Sequence, residues 1–206
     1  MARSKSSKQW LKEHFEDAYV RQSKESGLRS RASFKLLEIQ EKDKIFKGGM
    51  TVVDLGAAPG GWSQIAAKLV GKSGKVIASD ILPMDALQGV EFVQGDFSED
   101  QVLQKLQLML PREGADLVIS DMAPNMTGMK VIDQAKLMNL AELALDLARS
   151  VLKPGAYLLV KVFQGEGMDQ FKSDLRRSFK SVKVRKPNAS RARSSEIYLL
   201  AQGFLK

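Results

Sequence analysis

Apolar positions fall into short continuous runs that alternate with amphipathic stretches along most of the chain. Apolar runs of about four to eight residues bounded by turn residues mark buried strands, and apolar residues spaced by three and four mark helices with one inward face. TVVDLG (51–56), KVIASD (75–80), VEFVQGD (90–96), ADLVISDMAP (115–124) and AYLLVKVF (156–163) therefore read as five strands. Between them the pattern predicts a helix over WSQIAAKLVG ending at Gly71, an amphipathic helix over 99–110 carrying Val102, Leu103, Leu106 and Leu110, and a long helix over 131–152 stopped by Pro154-Gly155. A further helix is expected over 167–180, then strands SVKVRKP (181–187) and EIYLLAQGF (196–204) joined by the basic loop NASRARSS. Near the N-terminus a helix over 8–24 precedes a short one carrying Phe34, Leu36, Leu37 and Ile39, with Ser33 as its cap and Gly48-Gly49 closing the unit.

Strands alternating with helices imply parallel βαβ units and a doubly wound α/β sheet covered on both faces. The final two strands have no helix between them and should pair antiparallel. A chain of 206 residues suits one domain, here 31–206 with the basic stretch 1–30 as an arm of the same domain.

Composition narrows the chemistry. There is no cysteine and one histidine, His14, so a thiolate nucleophile, a Ser-His-Asp triad and a Cys/His metal site are all set aside, and no metal is expected. No apolar run reaches membrane-spanning length and no secretory signal opens the chain, so the expectation is a cytoplasmic protein, monomeric by default. The net charge of +8 is unevenly placed: residues 1–35 carry +5 and 172–193 carry +8, which leaves −5 for 36–171. Two basic ends around a mildly acidic centre are the footprint of a phosphate-backbone binder. Lys5, Lys8, Arg29 and Arg31 on one side, and Arg176, Arg177, Lys180, Lys183, Arg185, Lys186, Arg191 and Arg193 on the other, are the candidate phosphate contacts, with Trp10, Phe15 and Tyr19 as possible stacking residues.

The strongest local signal is DLGAAPGGW (54–62), which leaves a buried strand and opens a helix. In open α/β sheets ligands bind beyond the carboxyl ends of the strands at the topological switch point. Small residues at 56–61 permit close backbone approach, but the spacing is not G-x-G-x-x-G and Pro59 lacks an N–H for a phosphate cradle. A nucleoside without a pyrophosphate fits better than a dinucleotide. Asp80 and Asp96 end the next two strands, where they can accept bonds from ribose hydroxyls and from an adenine amino group. Lys161 interrupts LLVKVF, an otherwise apolar strand in which an unpaired charge is costly to bury, and this marks it as functional.

DLGAAPGGW resembles the cofactor loop of the FtsJ-type RNA ribose methyltransferases. The similarity continues through RSRASFKLLEI (29–39), SDMAPN (120–125), LVKVFQG (159–165) and SRARSSEIYLLAQGF (190–204), and so covers essentially residues 8–206. It implies a Rossmann-like methyltransferase fold with a seven-stranded, mostly parallel sheet whose last strand is antiparallel. It implies S-adenosyl-L-methionine as cofactor, with Asp54, Gly56, Ala57, Pro59, Gly60, Trp62, Asp80, Asp96 and Asp121 around it. It also implies a catalytic Lys-Asp-Lys-Glu set, which falls on Lys35, Asp121, Lys161 and Glu196.

The reaction so implied is methylation of a ribose 2′-hydroxyl. The nearly complete match points to members acting on a uridine of 23S ribosomal RNA, with the large subunit as partner. Transfer RNA or messenger RNA cap methylation, and a non-catalytic RNA-binding assembly role, are the rival readings. In-line transfer from a sulfonium needs the ribose oxygen held opposite the sulfur and its proton accepted or shared. Lys161 is the expected proton acceptor, oriented by Asp121, with Lys35 and Glu196 positioning substrate. A charged lysine that stabilises developing oxyanion character is the competing mechanism.

Overall fold

The structure is a computed structural model that describes residues 18–191 and 194–205. Helix α1 (Ala18–Glu25) is the end of the helix expected over 8–24, whose earlier residues, with Lys5, Lys8, Trp10 and Phe15, lie outside the described part. Helix α2 (Ala32–Asp43) follows, then β1 (Thr51–Leu55), α3 (Gly61–Val70), β2 (Lys75–Asp80), β3 (Val90–Gln94), α4 (Asp100–Met109) and β4 (Ala115–Ser120). The chain continues through α5 (Lys130–Val151), β5 (Leu152–Phe163), α6 (Met168–Ser178), β6 (Phe179–Arg185) and β7 (Glu196–Phe204).

The seven strands form one sheet in the order β3-β2-β1-β4-β5-β7-β6. Six run parallel, and β7 lies antiparallel between β5 and β6. From β1 the chain winds outward through β2 and β3, then returns to place β4 on the other side, so the switch point lies between β1 and β4.

Strand periodicity divides the core. Val53, Leu55, Ile77, Val118, Leu158, Val160, Ile197 and Leu199 face α4, α5 and α6, while Val52, Val76, Leu117, Ile119, Leu159, Tyr198 and Leu200 face α2 and α3. Because side chains alternate along a strand, this parity also sends Asp54, Lys161 and Glu196 toward α2 and α3. That is the face on which α2 carries Lys35.

Several boundaries differ from the sequence reading. The fourth strand stops at Ser120, and residues 121–129 form a loop. Pro154-Gly155 does not stop α5, which ends at Val151 and passes directly into β5. The pair instead lies where the β4–β5 register jumps from Ala115↔Leu152 to Leu117↔Tyr157, a bulge that tolerates proline. Ser33 does not cap α2: the N-cap is Arg31, and the Ser33 hydroxyl donates to the Gly61 carbonyl at 3.0 Å, fastening α2 to α3.

Candidate active site

The cofactor loop is built from the carboxyl end of β1. Gly56 sits at φ +72°, and a Cβ there would lie 2.3 Å from Met122 Cγ, so no other residue fits without displacing the loop after β4. The N–H groups of Gly56 and Ala57 both donate to the Ser79 carbonyl, that of Ala58 to Asp80 Oδ2 at 2.8 Å, and that of Gly60 to the Ala57 carbonyl. With these donors engaged inside the protein, the loop offers no anion cradle at 56–58.

Below it, Asp54 is buried and accepts the Ser63 hydroxyl at 2.6 Å, locking the start of α3 to the sheet. Burial pushes its carboxyl up to about 7 against the Ser63 bond, with the neighbouring Asp121 and Asp80 charges adding to the rise. Trp62 is also buried. Its indole N–H donates to the Ala32 carbonyl at 2.8 Å and its ring packs 5.6 Å from that of Tyr198, so the indole joins α2 and α3 to the sheet.

A cavity of about 420 Å³ opens over the switch point, lined by Gly56, Ala58, Asp80, Asp96, Asp121 and Met122 among others. Its lining holds three carboxylates and no lysine or arginine. Such a site disfavours phosphates and favours a cation bearing hydroxyl and amino donors. Each Asp80 oxygen takes one backbone N–H, from Ala58 or Leu82, and retains a lone pair for a ligand hydroxyl. Asp96 Oδ1 is held by the N–H and hydroxyl of Ser98. Of the residues expected around the cofactor, Gly56, Asp80, Asp96 and Asp121 line this cavity, and Asp54, Ala57, Pro59, Gly60 and Trp62 are not among its lining residues.

The four expected catalytic residues come together as two ion pairs. Lys161 Nζ lies 3.0 Å from Asp121 Oδ1 and donates to the Asp121 carbonyl at 2.5 Å. Lys35 Nζ lies 2.7 Å from Glu196 Oε1. Both lysines are recessed, 8% and 9% exposed for Lys35 and Lys161. Burial works to raise the Glu196 carboxyl, but the Lys35 ammonium overcomes it and holds the group below the ordinary carboxylate range.

Tyr198 links the two pairs, and the sequence reading missed it. Its hydroxyl donates to Asp121 Oδ1 at 2.6 Å, and Lys35 Nζ stands 5.7 Å from its ring centroid. Tyr198 faces Lys161 directly in the β5–β7 ladder. Burial, followed by the Asp121 and Glu196 charges, holds its phenol well above the ordinary range. The available signal was strand parity: two residues beyond Glu196, a polar-tipped side chain must fall on the same face.

A second cavity of about 430 Å³ is lined by Arg31, Ala32, Lys35, Arg191, Ser194 and Glu196. The two pairs thus connect an acidic cavity, which shares Asp121, with a basic one, which shares Lys35 and Glu196.

Residues 28–204 match the FtsJ-like methyltransferase family. The chain belongs to that family. Similar proteins named ribosomal RNA large subunit methyltransferase E occur in Chromohalobacter salexigens, 64% identical with 98% of this chain and 96% of that one covered, and in Cellvibrio japonicus, 58% identical with 100% and 97% covered. A further one in Pseudomonas aeruginosa is 58% identical, with 99% of each covered. A crystal structure described as a ribosomal RNA methyltransferase from Plasmodium falciparum superposes with a TM-score of 0.76 at 30% identity, covering 86% of this chain and 98% of that one. This FtsJ-like methyltransferase therefore carries the α/β, seven-stranded sheet of its family.

Some of the basic residues expected to grip phosphate do structural work in this FtsJ-like methyltransferase. The Arg29 guanidinium donates to the carbonyls of Pro59, Asp85 and Ala86, bracing the cofactor loop against the segment after β2. Arg185 makes a two-pronged pair with the buried carboxylate of Asp43. Lys186 donates to the carbonyls of Ser194 and Glu196. Glu38 accepts the N–H groups of Asn188 and Ala189, and Arg31 donates to the Ala189 carbonyl, so the loop before β7 is tied to α2. Arg176, Arg177, Lys180 and Lys183 remain exposed along α6 and β6.

Proposed function

We propose that this protein transfers a methyl group from S-adenosyl-L-methionine to the 2′-hydroxyl of a uridine ribose in 23S ribosomal RNA, on the large ribosomal subunit, as a cytoplasmic monomer. Residues 31–206 act as one catalytic domain and residues 1–30 as its basic arm. The observation that carries this reading is the position of Asp121, which lines the acid-walled cavity and also holds Lys161. The names of the relatives support ribosomal RNA of the large subunit as the substrate.

When bound, S-adenosylmethionine supplies an electrophilic methyl group on a positively charged sulfur. The acidic cavity suits that charge: Asp80 would hold the ribose hydroxyls, Asp96 the adenine amino group, and Asp121 would face the sulfonium end. Lys161 takes the proton of the attacking 2′-hydroxyl after losing its own to solvent, and the Asp121 carboxylate and backbone carbonyl together hold the ammonium that results, the form in which the pair stands here. Tyr198 fixes the Asp121 carboxylate, so the acceptor geometry is set before substrate arrives. Lys35, paired with Glu196, presents a positive group to the incoming nucleotide from the basic cavity.

The test is transfer of tritium-labelled methyl groups from S-adenosylmethionine to large subunits lacking 2′-O-methylation, with Lys161→Ala as control. Label on a single ribose of the large-subunit RNA, lost in the variant, is expected. Label on transfer RNA alone would overturn the substrate. Tight cofactor binding with no label on any RNA would overturn the activity.

A further inference from the structure

The loop that leaves β4 at Asp121 and the first turn of α5 carry an apolar patch that the described residues leave exposed. Met126 is 60% exposed, Met129 61%, Val131 77% and Ile132 40%. Contiguous apolar exposure of this kind marks an interaction surface more often than a passive one. The loop is also held firmly. Asp133, buried in the first turn of α5, accepts the Thr127 N–H at 2.7 Å, the Thr127 hydroxyl at 2.8 Å and the Gly128 N–H at 3.0 Å. Gln134 donates to the Glu166 carbonyl at 2.9 Å, which ties the same turn to the segment following β5, the strand that bears Lys161. The apolar side chains are thus presented on a braced frame beside the catalytic groups.

What covers them follows from position and charge. Residues 122–125 of this loop line the cofactor cavity, so a molecule seated at Asp121 and Lys161 is adjacent to the patch. From Met122 to Ile132 the loop and the first turn of α5 have no acidic residue, and the exposed Lys130 lies within that stretch. Lys161 is recessed, and its partner Asp121 lines the acidic cavity, so a 2′-hydroxyl reaches it when its nucleotide is drawn out of the base stack. Unstacking leaves apolar base faces exposed, and proteins that unstack nucleic acid cover such faces with Met, Ile, Leu or Phe wedges.

We propose that Met126, Met129 and Val131 form an apolar wedge that packs against the bases flanking the methylated nucleotide and keeps that nucleotide unstacked. The inference rests on the RNA-methylating function proposed above.

The test uses the full chain with p-benzoylphenylalanine in place of Met129, irradiated in complex with large subunits lacking the methyl group. The expected adduct is on ribosomal RNA within a few nucleotides of the methylated position. In parallel, Met126→Ala/Met129→Ala should lower kcat/KM for subunits by about tenfold, the scale of one apolar side chain left in water, with cofactor affinity and thermal midpoint unchanged. An adduct on a ribosomal protein or on a second copy of the chain, no adduct, or an unchanged kcat/KM would each overturn the wedge. Failure of the unaltered chain to label the subunits would overturn the function itself, and the wedge with it.

Discussion

Replacing Lys35 by methionine removes one charge from a pair that is almost closed to water while keeping the length of the side chain. The pair stands at 2.7 Å, with side-chain exposures of 10% for Lys35 and 12% for Glu196. At an effective dielectric of about 20 its attraction is roughly 6 kcal/mol, and desolvation of several kcal/mol per ion opposes it. Breaking a fully buried pair by removing one member costs about 3–5 kcal/mol. The residual exposure here puts Lys35→Met near the lower end, about 3 kcal/mol. Lys35→Met/Glu196→Gln, which leaves no orphan charge, should recover about 2 kcal/mol of that loss in urea denaturation.

The pH dependence carries a sign. In the parent, Glu196 lies below its ordinary value, so its contribution is full above that value and is lost as pH falls through the folded one. In Lys35→Met the burial that Lys35 now overcomes acts unopposed by it, and the Glu196 carboxyl should titrate above its ordinary value. The deficit of the variant should therefore shrink on acidification and widen toward neutral pH. A carboxyl ¹³C titration of Glu196 together with urea midpoints from pH 4 to 8 checks both points. A double variant no more stable than the single one, or a Glu196 that still titrates low without Lys35, would refute the coupling.

Asp54, pushed up from 3.8 to about 7 chiefly by burial, contributes stability that is full below its ordinary value and lost as pH rises to the folded one, so Asp54→Asn should flatten urea midpoints between about pH 4 and 7. Arg29→Ala should weaken S-adenosylmethionine binding by calorimetry, because the bonds it loses brace the loop at Pro59 and the segment at Asp85 and Ala86. The salt dependence of subunit binding should be unchanged in that variant, whereas a phosphate contact would reduce its slope.

Much of the sheet was legible because each strand is an apolar run and each connection an amphipathic helix. Lys161 was legible for a related reason, as a charge inside a run that otherwise excludes charge. Lys35 was not legible from pattern, since a lysine on a helix ordinarily lies in water; the family resemblance alone picked it out. The basic residues divided in a way no charge count reveals. Arg29 and Arg185 have the composition of a phosphate site, but each finds acceptors some distance away in sequence, in the 59–86 region and at Asp43 respectively. Trp62 belonged to the recognisable loop motif, yet its large ring was best accommodated in the core against Tyr198. The helix–strand boundaries near Val151 and Ser178 moved because the last turn of each helix runs straight into a strand with no turn residues between them.

The place of β7 in the sheet bears on when the site comes into existence during synthesis. It follows the other six described strands in the chain, yet it lies inside the sheet, and among the described strands β6 pairs only with it. Until it docks, β6 has no partner strand and the cluster around Asp121 lacks Glu196 and Tyr198. A chain cut before β7 keeps the strands β1 to β5 and the residues of the acidic cavity in its sequence but loses the glutamate of the lysine–glutamate pair. The two-pair cluster is in this sense a property of the whole sheet.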